Sequence, residues 1–379
     1  MLFCEFYLSL LHIMSTDEQY MARCLQLAKN GRFGASPNPM VGAVIVHDGK
    51  IIGEGYHRQC GGPHAEVNAV LSVKDERLLR EATMYVSLEP CAHYGKTPPC
   101  ADMIIEKGIP RVVIGCRDSF DQVDGKGIQK LRKAGMEVTV GVLEKECLAL
   151  NRAFFTFHSK KRPYITLKWA QSADGYIDAS RSIATDETNA TEGEQQGSGE
   201  AVRFSTDETA MRVHRLRALN DAILVGRRTA ELDNPSLTTR LWPGRNPLRL
   251  VIDKDGKLDM GLKLFDGTTK TTVFTEVFRD FSHTENIEQV RLDFSRNILP
   301  QMMQYLHAHK VQRLLVEGGT VLLQSFIDQR LWDEAFVEET PFNLGNGVKA
   351  PAIDYSTKKE KNESFGHQIW HFLAEKHIF

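Results

Sequence analysis

The cysteines divide the chain into two unlike halves. All seven lie before residue 150, in a chain of 379 residues. That length is long for one domain and comfortable for two, so we expect two domains with different chemistry. A disulfide framework is not expected in so long a chain without a secretion signal. The cysteine pattern therefore favours a thiolate metal site in the first half.

The composition is that of a globular protein, with 42% hydrophobic and 25% charged residues. The net charge of -2 leaves no basic excess to neutralise phosphates, so we expect no nucleic-acid partner. Residues 1–14 are apolar, but they lack a basic lead-in and a cleavage site and are too short to cross a membrane. We interpret them as a misassigned extension, and expect a cytoplasmic homo-oligomer with no membrane partner.

Helices and strands alternate through the first half. Ser15 or Thr16 can cap a helix, with Glu18 or Gln19 completing a capping box. Hydrophobic patterning predicts further strands and helices, with a hairpin turn at Asp48-Gly49. The strands are 41–46, 51–56, 83–88, 112–115 and 136–140, and the helices 64–73, 100–107 and 128–134. This alternation predicts an α/β layered domain over residues 15–150, followed by a connector at 151–162.

Two short motifs in this half suit zinc chemistry. His64 and Glu66 open one helix, and Pro90-Cys91 is followed by Cys100 at the start of the next. One imidazole nitrogen and two thiolates leave the fourth tetrahedral position open, as in catalytic zinc sites. Zinc lowers the pKa of a coordinated water to about 7, and Glu66 can move its proton to a departing amine.

Each of these residues alone is more often a helix cap or a small buried side chain than a ligand. Together, in the order His-x-Glu, Pro-Cys, Cys, they match the pattern of zinc nucleobase deaminases. The spacing departs from that pattern, because eight residues rather than two separate Cys91 from Cys100.

Four strings carry a more specific resemblance. They are Pro37-Asn38-Pro39-x-Val41-Gly42, Gly55-Tyr56-His57, Pro63-His64-Ala65-Glu66 and Cys91-Ala-His-Tyr-Gly-Lys-Thr-Pro-Pro-Cys100. Together they resemble the deaminase half of the bifunctional riboflavin-biosynthesis deaminase–reductases, a cytidine-deaminase-like three-layer domain. The resemblance implies zinc ligands at His64, Cys91 and Cys100 and a proton shuttle at Glu66. It also implies substrate contacts at Asn38, His57, His93 and Lys96, with Lys96 as a phosphate partner.

The second half contains further strands and helices. Patterning predicts strands at 164–169, 222–225 and 248–252 and a helix at 206–218. A strand at 314–316, a turn at Gly318-Gly319 and a helix at 321–327 come next. Backbone amides at a glycine-rich helix start can bind phosphate, although a simple tight turn is the alternative interpretation.

The second half resembles the reductase half of the same family, over residues 163–379. The strings that carry the likeness include Leu167-Lys168-x-Ala170, Ser172-x-Asp174-Gly175, Leu216-Arg217-Ala218, Ile223-Leu224-Val225-Gly226, Asp233-Asn234-Pro235-Ser236-Leu237-Thr238-x-Arg240 and Val316-Glu317-Gly318-Gly319. The resemblance implies a dihydrofolate-reductase-like α/β domain that transfers hydride from NADPH to the ribose carbonyl carbon of a phosphorylated pyrimidine.

That resemblance also implies the reductase site. Substrate contacts fall at Lys168, Arg217, Leu237, Arg240 and Glu317, and cofactor contacts at Ala170, Thr229, Asp233, Gly319 and Thr320. Arg217 and Arg240 suit a phosphate clamp, since guanidinium binds phosphate through two hydrogen bonds, whereas solvated surface charges are the alternative.

One departure keeps alternatives open. Family members carry a Trp in a short turn before the helix at 206–218, whereas here a longer polar stretch, 181–199, and Arg203-Phe204-Ser205 stand in its place. The alternatives are an active deaminase with a non-catalytic second half, and a deaminase of nucleosides or tRNA. A structural zinc protein is disfavoured because Glu66 would have no task. We favour the bifunctional enzyme.

Overall fold

The computed structural model describes residues 14–94, 98–118, 125–181, 202–353 and 358–374. The chain forms two compact units, residues 1–160 and 161–379. Among the described residues, no helix is both long and apolar enough to cross a membrane.

The first unit is built on one five-stranded mixed sheet. Its elements are α1 (Thr16–Ala28), β1 (Gly42–His47), β2 (Lys50–Tyr56), α2 (Ala65–Leu71), β3 (Thr83–Leu88), α3 (Cys100–Glu106), β4 (Arg111–Cys116), α4 (Lys126–Lys133), β5 (Glu137–Val140), α5 (Glu144–Leu150) and α6 (Arg152–Lys160). The strand order is β2-β1-β3-β4-β5, with β1 antiparallel to both neighbours and β3, β4 and β5 parallel.

Helices cover both faces of this sheet, because side chains alternate along each strand. Ile45 and Val112 pack on one face with apolar residues of α2, α3 and α4. Val44 and Val113 pack on the other face with residues of α1, α5 and α6. The three-layer arrangement expected from the sequence is confirmed.

Two local predictions are also confirmed. The Ser15 hydroxyl accepts from the Glu18 N–H at 3.3 Å, and the Ser15 N–H donates to the Glu18 carboxylate at 2.7 Å, which is a complete capping box. Asp48 and Gly49 both have positive φ, 47° and 70°, as a tight hairpin turn between twisted strands requires.

The segment 151–162 is not a plain connector, which corrects the sequence interpretation. Residues Arg152–Lys160 form α6, and Phe155 is buried in the core of the first unit. The preceding helix starts after Leu143, which has a φ of 51° and provides no capping side chain. The first of these two short helices therefore has no capping signal in the sequence at its start.

The second unit is built on a nine-stranded sheet. Its elements are β6 (Tyr164–Gln171), β7 (Tyr176–Asp178), α7 (Asp207–Leu219), β8 (Ala222–Gly226), α8 (Arg227–Asp233), β9 (Leu248–Ile252), β10 (Thr271–Thr275), β11 (Ile287–Arg291), α9 (Ile298–Ala308), β12 (Arg313–Glu317), α10 (Thr320–Asp328), β13 (Glu334–Glu339), β14 (Val348–Lys349), β15 (Lys358–Ser364) and β16 (His367–Leu373). Short 3₁₀ turns lie at Lys29–Gly31 and Glu76–Glu81 in the first unit and at Lys263–Phe265 in the second.

The large sheet has the order β11-β10-β9-β8-β12-β6-β13-β16-β15. The seven strands from β11 to β13 run parallel, and the hairpin β15–β16 closes one edge antiparallel. Leu224 faces a core that includes α9 and α10, and Ile223 faces the opposite core, which includes Ala230 of α8. This α/β architecture agrees with the fold expected for the second half.

Arg249 of β9 ties the loop between β9 and β10 to the sheet. It is fully buried and donates to the Asp266 carboxylate at 2.8 Å and to the Thr269 carbonyl oxygen at 2.6 Å. It also donates to the Lys263 carbonyl oxygen at 2.8 Å and the Thr271 hydroxyl at 3.0 Å. Its fifth N–H donates to the Ser236 carbonyl oxygen at 3.5 Å, so all five donors meet acceptors, as a buried guanidinium requires.

We expect Arg249→Met to lower the free energy of unfolding of the second unit by about 3 kcal/mol, because it leaves a carboxylate and buried carbonyl groups without their partner. Urea unfolding followed by tryptophan fluorescence measures this unit alone, since all four Trp residues lie after residue 160. Lys254→Met is the control, because the exposed pair of Lys254 and Glu276 should contribute under about 1 kcal/mol. Equal losses in both variants would contradict the prediction.

Candidate active sites

Three side chains meet at the starts of two helices beside the end of β3. His64 immediately precedes α2, Cys91 follows β3, and Cys100 is the first residue of α3. His64 Nδ1 lies 3.6 Å from Cys91 Sγ and 3.3 Å from Cys100 Sγ, and all three ligand atoms lie within 4.8 Å of one another. These separations fit one tetrahedral zinc ion, with Zn–S near 2.3 Å and Zn–N near 2.0 Å.

The electrostatics of this cluster favour a thiolate. The hydrogen bond between the two thiols lowers the pKa of Cys91 and raises that of Cys100, which keeps the shared proton. The Cys100 N–H donates to Cys91 Sγ at 3.3 Å. The hydrogen bond to Cys91 also raises the pKa of His64. The deprotonated thiol is the form that binds metal.

Glu66 lies in the first turn of α2, beside these ligands. It is only 3% exposed, and burial raises its pKa to about 7. A carboxyl group with a pKa near neutrality can both accept and return a proton. Its position and its pKa both suit the proton transfer expected from the sequence.

Asn38 and His57 also lie at this site. The Pro63 carbonyl oxygen is 3.1 Å from His57 Nδ1, so this nitrogen carries the proton and donates it. The Asn38 side-chain amide donates to His57 Nε2 at 3.2 Å. Burial lowers the pKa of His57, which keeps the ring neutral, and the ring lies 5.4 Å from that of His64.

The remaining two predicted deaminase contacts lie in the loop between the two cysteines. His93 is exposed in that loop. Lys96 lies outside the described residues, so its predicted role in phosphate binding stays a prediction.

Glu89 has a structural role that was not predicted from the sequence. Its buried carboxylate accepts four backbone N–H groups, from Asp118 at 3.3 Å, Gly125 at 3.1 Å, Gly127 at 3.0 Å and Ile128 at 3.2 Å. It therefore fixes the chain two residues before Cys91 to the start of α4, where a negative charge is favourable. No local pattern could reveal this, because the donors lie 29 to 39 positions later.

The second unit contains a cavity of about 300 Å³. Eight of the ten predicted reductase residues line it: Lys168, Ala170, Arg217, Thr229, Asp233, Leu237, Glu317 and Gly319. Arg240 and Thr320 are not among its lining residues in the described part of the chain. Arg240 is exposed and donates to Ser236 and Thr238, and Thr320 donates to the Lys349 carbonyl oxygen.

A partly buried ion pair lies in this cavity. Arg217 Nη2 is 2.8 Å from Glu317 Oε2, and Arg217 Nε is 3.3 Å from Oε1. Burial acts to raise the pKa of Glu317, but the charges of Arg217 and then Lys168 outweigh it and hold the pKa below its usual value. Lys168 is the direct neighbour of Glu317 across β6 and β12. The cavity therefore presents two cations around an ionised carboxylate.

The glycine turn after β12 packs closely against Thr229 in the cavity wall. Gly318 has a φ of 126°, and a Cβ there would lie 2.8 Å from the Thr229 hydroxyl oxygen. The Gly319 N–H donates to that hydroxyl at 3.1 Å, and α10 begins directly after it. Backbone without side chains at a helix start suits the phosphate groups of a dinucleotide, so the residues present fit NADPH.

Arg181 and Phe204 are among the lining residues that were not predicted. Arg181 is 8% exposed and binds Asp178 at 2.7 Å and Asp233 at 2.6 Å. It begins the polar stretch in which no structure was predicted. Phe204 also lines the cavity and stacks on Phe342 at 5.7 Å between ring centroids. The Trp expected in the turn before α7 is absent, but the Phe204 ring from that turn lies in the cavity wall.

Comparisons with known proteins agree over most of the chain. The family model of the cytidine and deoxycytidylate deaminase zinc-binding region matches residues 14–116, and that of the RibD C-terminal domain matches residues 163–367. The riboflavin biosynthesis protein RibD of Aquifex aeolicus is 36% identical over 94% of this chain and 98% of its own length. The RibD of Actinobacillus pleuropneumoniae is 40% identical over 81% and 79%.

A solved structure is similar over the same extent. It is a diaminohydroxyphosphoribosylaminopyrimidine deaminase/5-amino-6-(5-phosphoribosylamino)uracil reductase from Thermotoga maritima, with a TM-score of 0.80 and 36% identity, covering 94% of this chain and 98% of that one. The three-ligand cluster with its buried glutamate, the charged cavity and these full-length similarities lead to one conclusion: the chain belongs to the RibD family of riboflavin biosynthesis proteins.

Proposed function

We propose that the chain catalyses two successive steps of riboflavin biosynthesis. The first unit deaminates 2,5-diamino-6-(5-phosphoribosylamino)pyrimidin-4-one, and the second reduces the ribosyl group of the product to a ribityl chain with NADPH. The observation that carries the proposal is the cluster of His64, Cys91 and Cys100 with Glu66 buried beside it. Full-length similarity to a deaminase/reductase supports both steps in one chain.

In the first unit, His64 Nδ1 and the two thiolates would hold zinc and leave one position for water. Bound zinc supplies a water that is acidic enough to attack near neutral pH. Glu66 takes the proton of the attacking water on its carboxylate and passes it to the amino nitrogen that leaves as ammonia. A pKa of about 7 suits both transfers.

We expect four further residues to orient the substrate. Asn38, His57 and His93 would contact the pyrimidine and ribose, and Lys96 would bind the phosphate. His57 keeps its proton on Nδ1, because the Pro63 carbonyl oxygen accepts it there. A neutral ring beside the metal ligands avoids adding a positive charge next to zinc.

In the second unit, NADPH would lie along Ala170, Thr229, Asp233, Gly319 and Thr320 and supply the hydride. Lys168 would stabilise the negative charge that develops on the sugar oxygen when hydride reaches the neighbouring carbon. Glu317 would accept hydrogen bonds from substrate hydroxyls, and Leu237 would pack against the substrate.

Arg217 and Arg240 would bind the substrate phosphate. Both guanidiniums contact Thr238: Arg217 at the carbonyl oxygen, 3.4 Å away, and Arg240 at Oγ1, 3.0 Å away. Because both guanidiniums contact Thr238, they are close enough together to bind one phosphate group. Phosphate oxygens accept two parallel hydrogen bonds from a guanidinium. This supports the clamp proposed from the sequence, although Arg240 lies outside the cavity lining.

We expect Glu66→Gln to lower the deamination rate by roughly 100- to 10,000-fold, because the amide cannot carry the proton. Zinc content, measured by atomic emission, should stay at the wild-type level since Glu66 is not a ligand. Cys91→Ser is the contrasting variant and should lose metal and activity together. A Glu66→Gln enzyme that still deaminates at the wild-type rate would disprove the proton transfer.

We expect Arg217→Lys to lower reductase kcat/KM by roughly 10- to 100-fold, because an ammonium cannot replace two hydrogen bonds to Glu317 and the phosphate. NADPH oxidation measures this rate. Deaminase activity of the same preparation is the control and should not change, because Arg217 belongs to the second unit. An unchanged reductase rate would remove Arg217 from the site.

A further inference from the structure

We propose that Asn151 is a positioning residue of the deaminase site, which holds the substrate-binding loop 37–40 in place. The inference rests on the proposed function of that site. Asn151 lies between α5 and α6, beyond the residues 14–116 that match the deaminase family model. It is 3% exposed, and both of its side-chain polar atoms point to one residue.

The side-chain amide of Asn151 binds both backbone groups of Met40. The Met40 N–H donates to Asn151 Oδ1 at 2.8 Å, and Asn151 Nδ2 donates to the Met40 carbonyl oxygen at 2.9 Å. The backbone of Asn151 is itself held, because its N–H donates to Leu148 and its carbonyl accepts from Phe155. The amide is therefore a fixed anchor for a loop 111 positions away in the chain.

Loop 37–40 contains two prolines, so it has few backbone N–H groups with which to hold itself in place. Asn38 is flanked by Pro37 and Pro39, which have no N–H to donate. Met40 offers the first backbone donor after Asn38, and Asn151 accepts it. One residue later, the Val41 carbonyl accepts from the His57 N–H at 3.0 Å.

The anchored loop carries a proposed substrate contact. The Asn38 side chain donates to His57 Nε2 at 3.2 Å, so the loop and the histidine form one unit beside the metal ligands. Met40 is two residues from Asn38, so a shift at Met40 moves Asn38 away from His57 and from the substrate. Asn151 thus acts on the substrate through Met40 and Asn38, without touching it.

The chemistry of position 151 requires an amide. An aspartate would keep the acceptor for the Met40 N–H but would turn a carboxylate oxygen toward the Met40 carbonyl oxygen. At 3% exposure that charge would have no compensating donor. A leucine would keep the approximate volume and would make neither hydrogen bond.

The decisive experiment is steady-state deamination by Asn151→Asp and Asn151→Leu in the full-length, zinc-loaded chain. We expect KM for the pyrimidine ribose-phosphate to rise roughly tenfold, the effect of removing a buried hydrogen bond. The value of kcat and the zinc content should stay near wild type, because weakening substrate binding equally in the ground and transition states changes KM alone. Reductase activity should be unchanged.

Thr156→Val is the matched control. Thr156 is likewise buried, on α6, the helix that starts directly after Asn151, and its hydroxyl has no hydrogen-bond partner among the described residues. The change therefore perturbs the adjacent helix without touching the loop. It should keep the wild-type KM. If Asn151→Asp does not fold, Asn151→Leu still tests the inference, because it buries no charge.

A double-mutant cycle with Asn38→Ala separates positioning from general destabilisation. Once Asn38 is removed, Asn151→Leu should raise KM little further, because both changes remove the same interaction with substrate. A wild-type KM in the Asn151 variants, or full additivity with Asn38→Ala, would overturn the inference. A wild-type chain that fails to deaminate would overturn the proposed function and, with it, this inference.

Discussion

Two thiols and an imidazole packed within 4.8 Å of one another are the constraint on which the first unit depends. Such a cluster is stable only with a shared proton or a bound cation, since buried charge without a partner is costly. The fold supplies its ligands from the start of α2, the loop after β3 and the start of α3. Each element is held by the central sheet, so the spacing of the ligands is set by strand order and helix packing.

The residues around this cluster serve its geometry. Glu89 fixes the chain before Cys91 by accepting four backbone N–H groups, and Asn151 fixes the loop before β1 through Met40. Both side chains are buried, and all their polar atoms form hydrogen bonds. Such groups specify one arrangement, because any other leaves an unsatisfied polar atom in the interior.

The cluster of His64, Cys91 and Cys100 with Glu66 could be predicted because these residues lie in two short sequence motifs, each at a helix start. The capping box of Ser15 and the turn at Asp48-Gly49 are local for the same reason. Glu89, Asn151 and Arg181 each form hydrogen bonds with residues far away in the chain, and Arg181 also lies at the start of a stretch without periodic hydrophobic residues. No local sequence pattern therefore reveals these partners. The hairpin of β15 and β16 was missed because its first strand, 358–364, is mostly charged and pairs with β16 alone.

The central claim is that one chain performs both reactions, and product mass tests it most directly. The zinc-loaded protein is incubated with 2,5-diamino-6-(5-phosphoribosylamino)pyrimidin-4-one, with and without NADPH, and the product is identified by mass spectrometry. We predict exchange of one amino group for oxygen in both cases, and a gain of two hydrogens only with NADPH. A substrate mass that does not change would contradict the deaminase assignment, and a deaminated product that never gains hydrogen would contradict the reductase assignment.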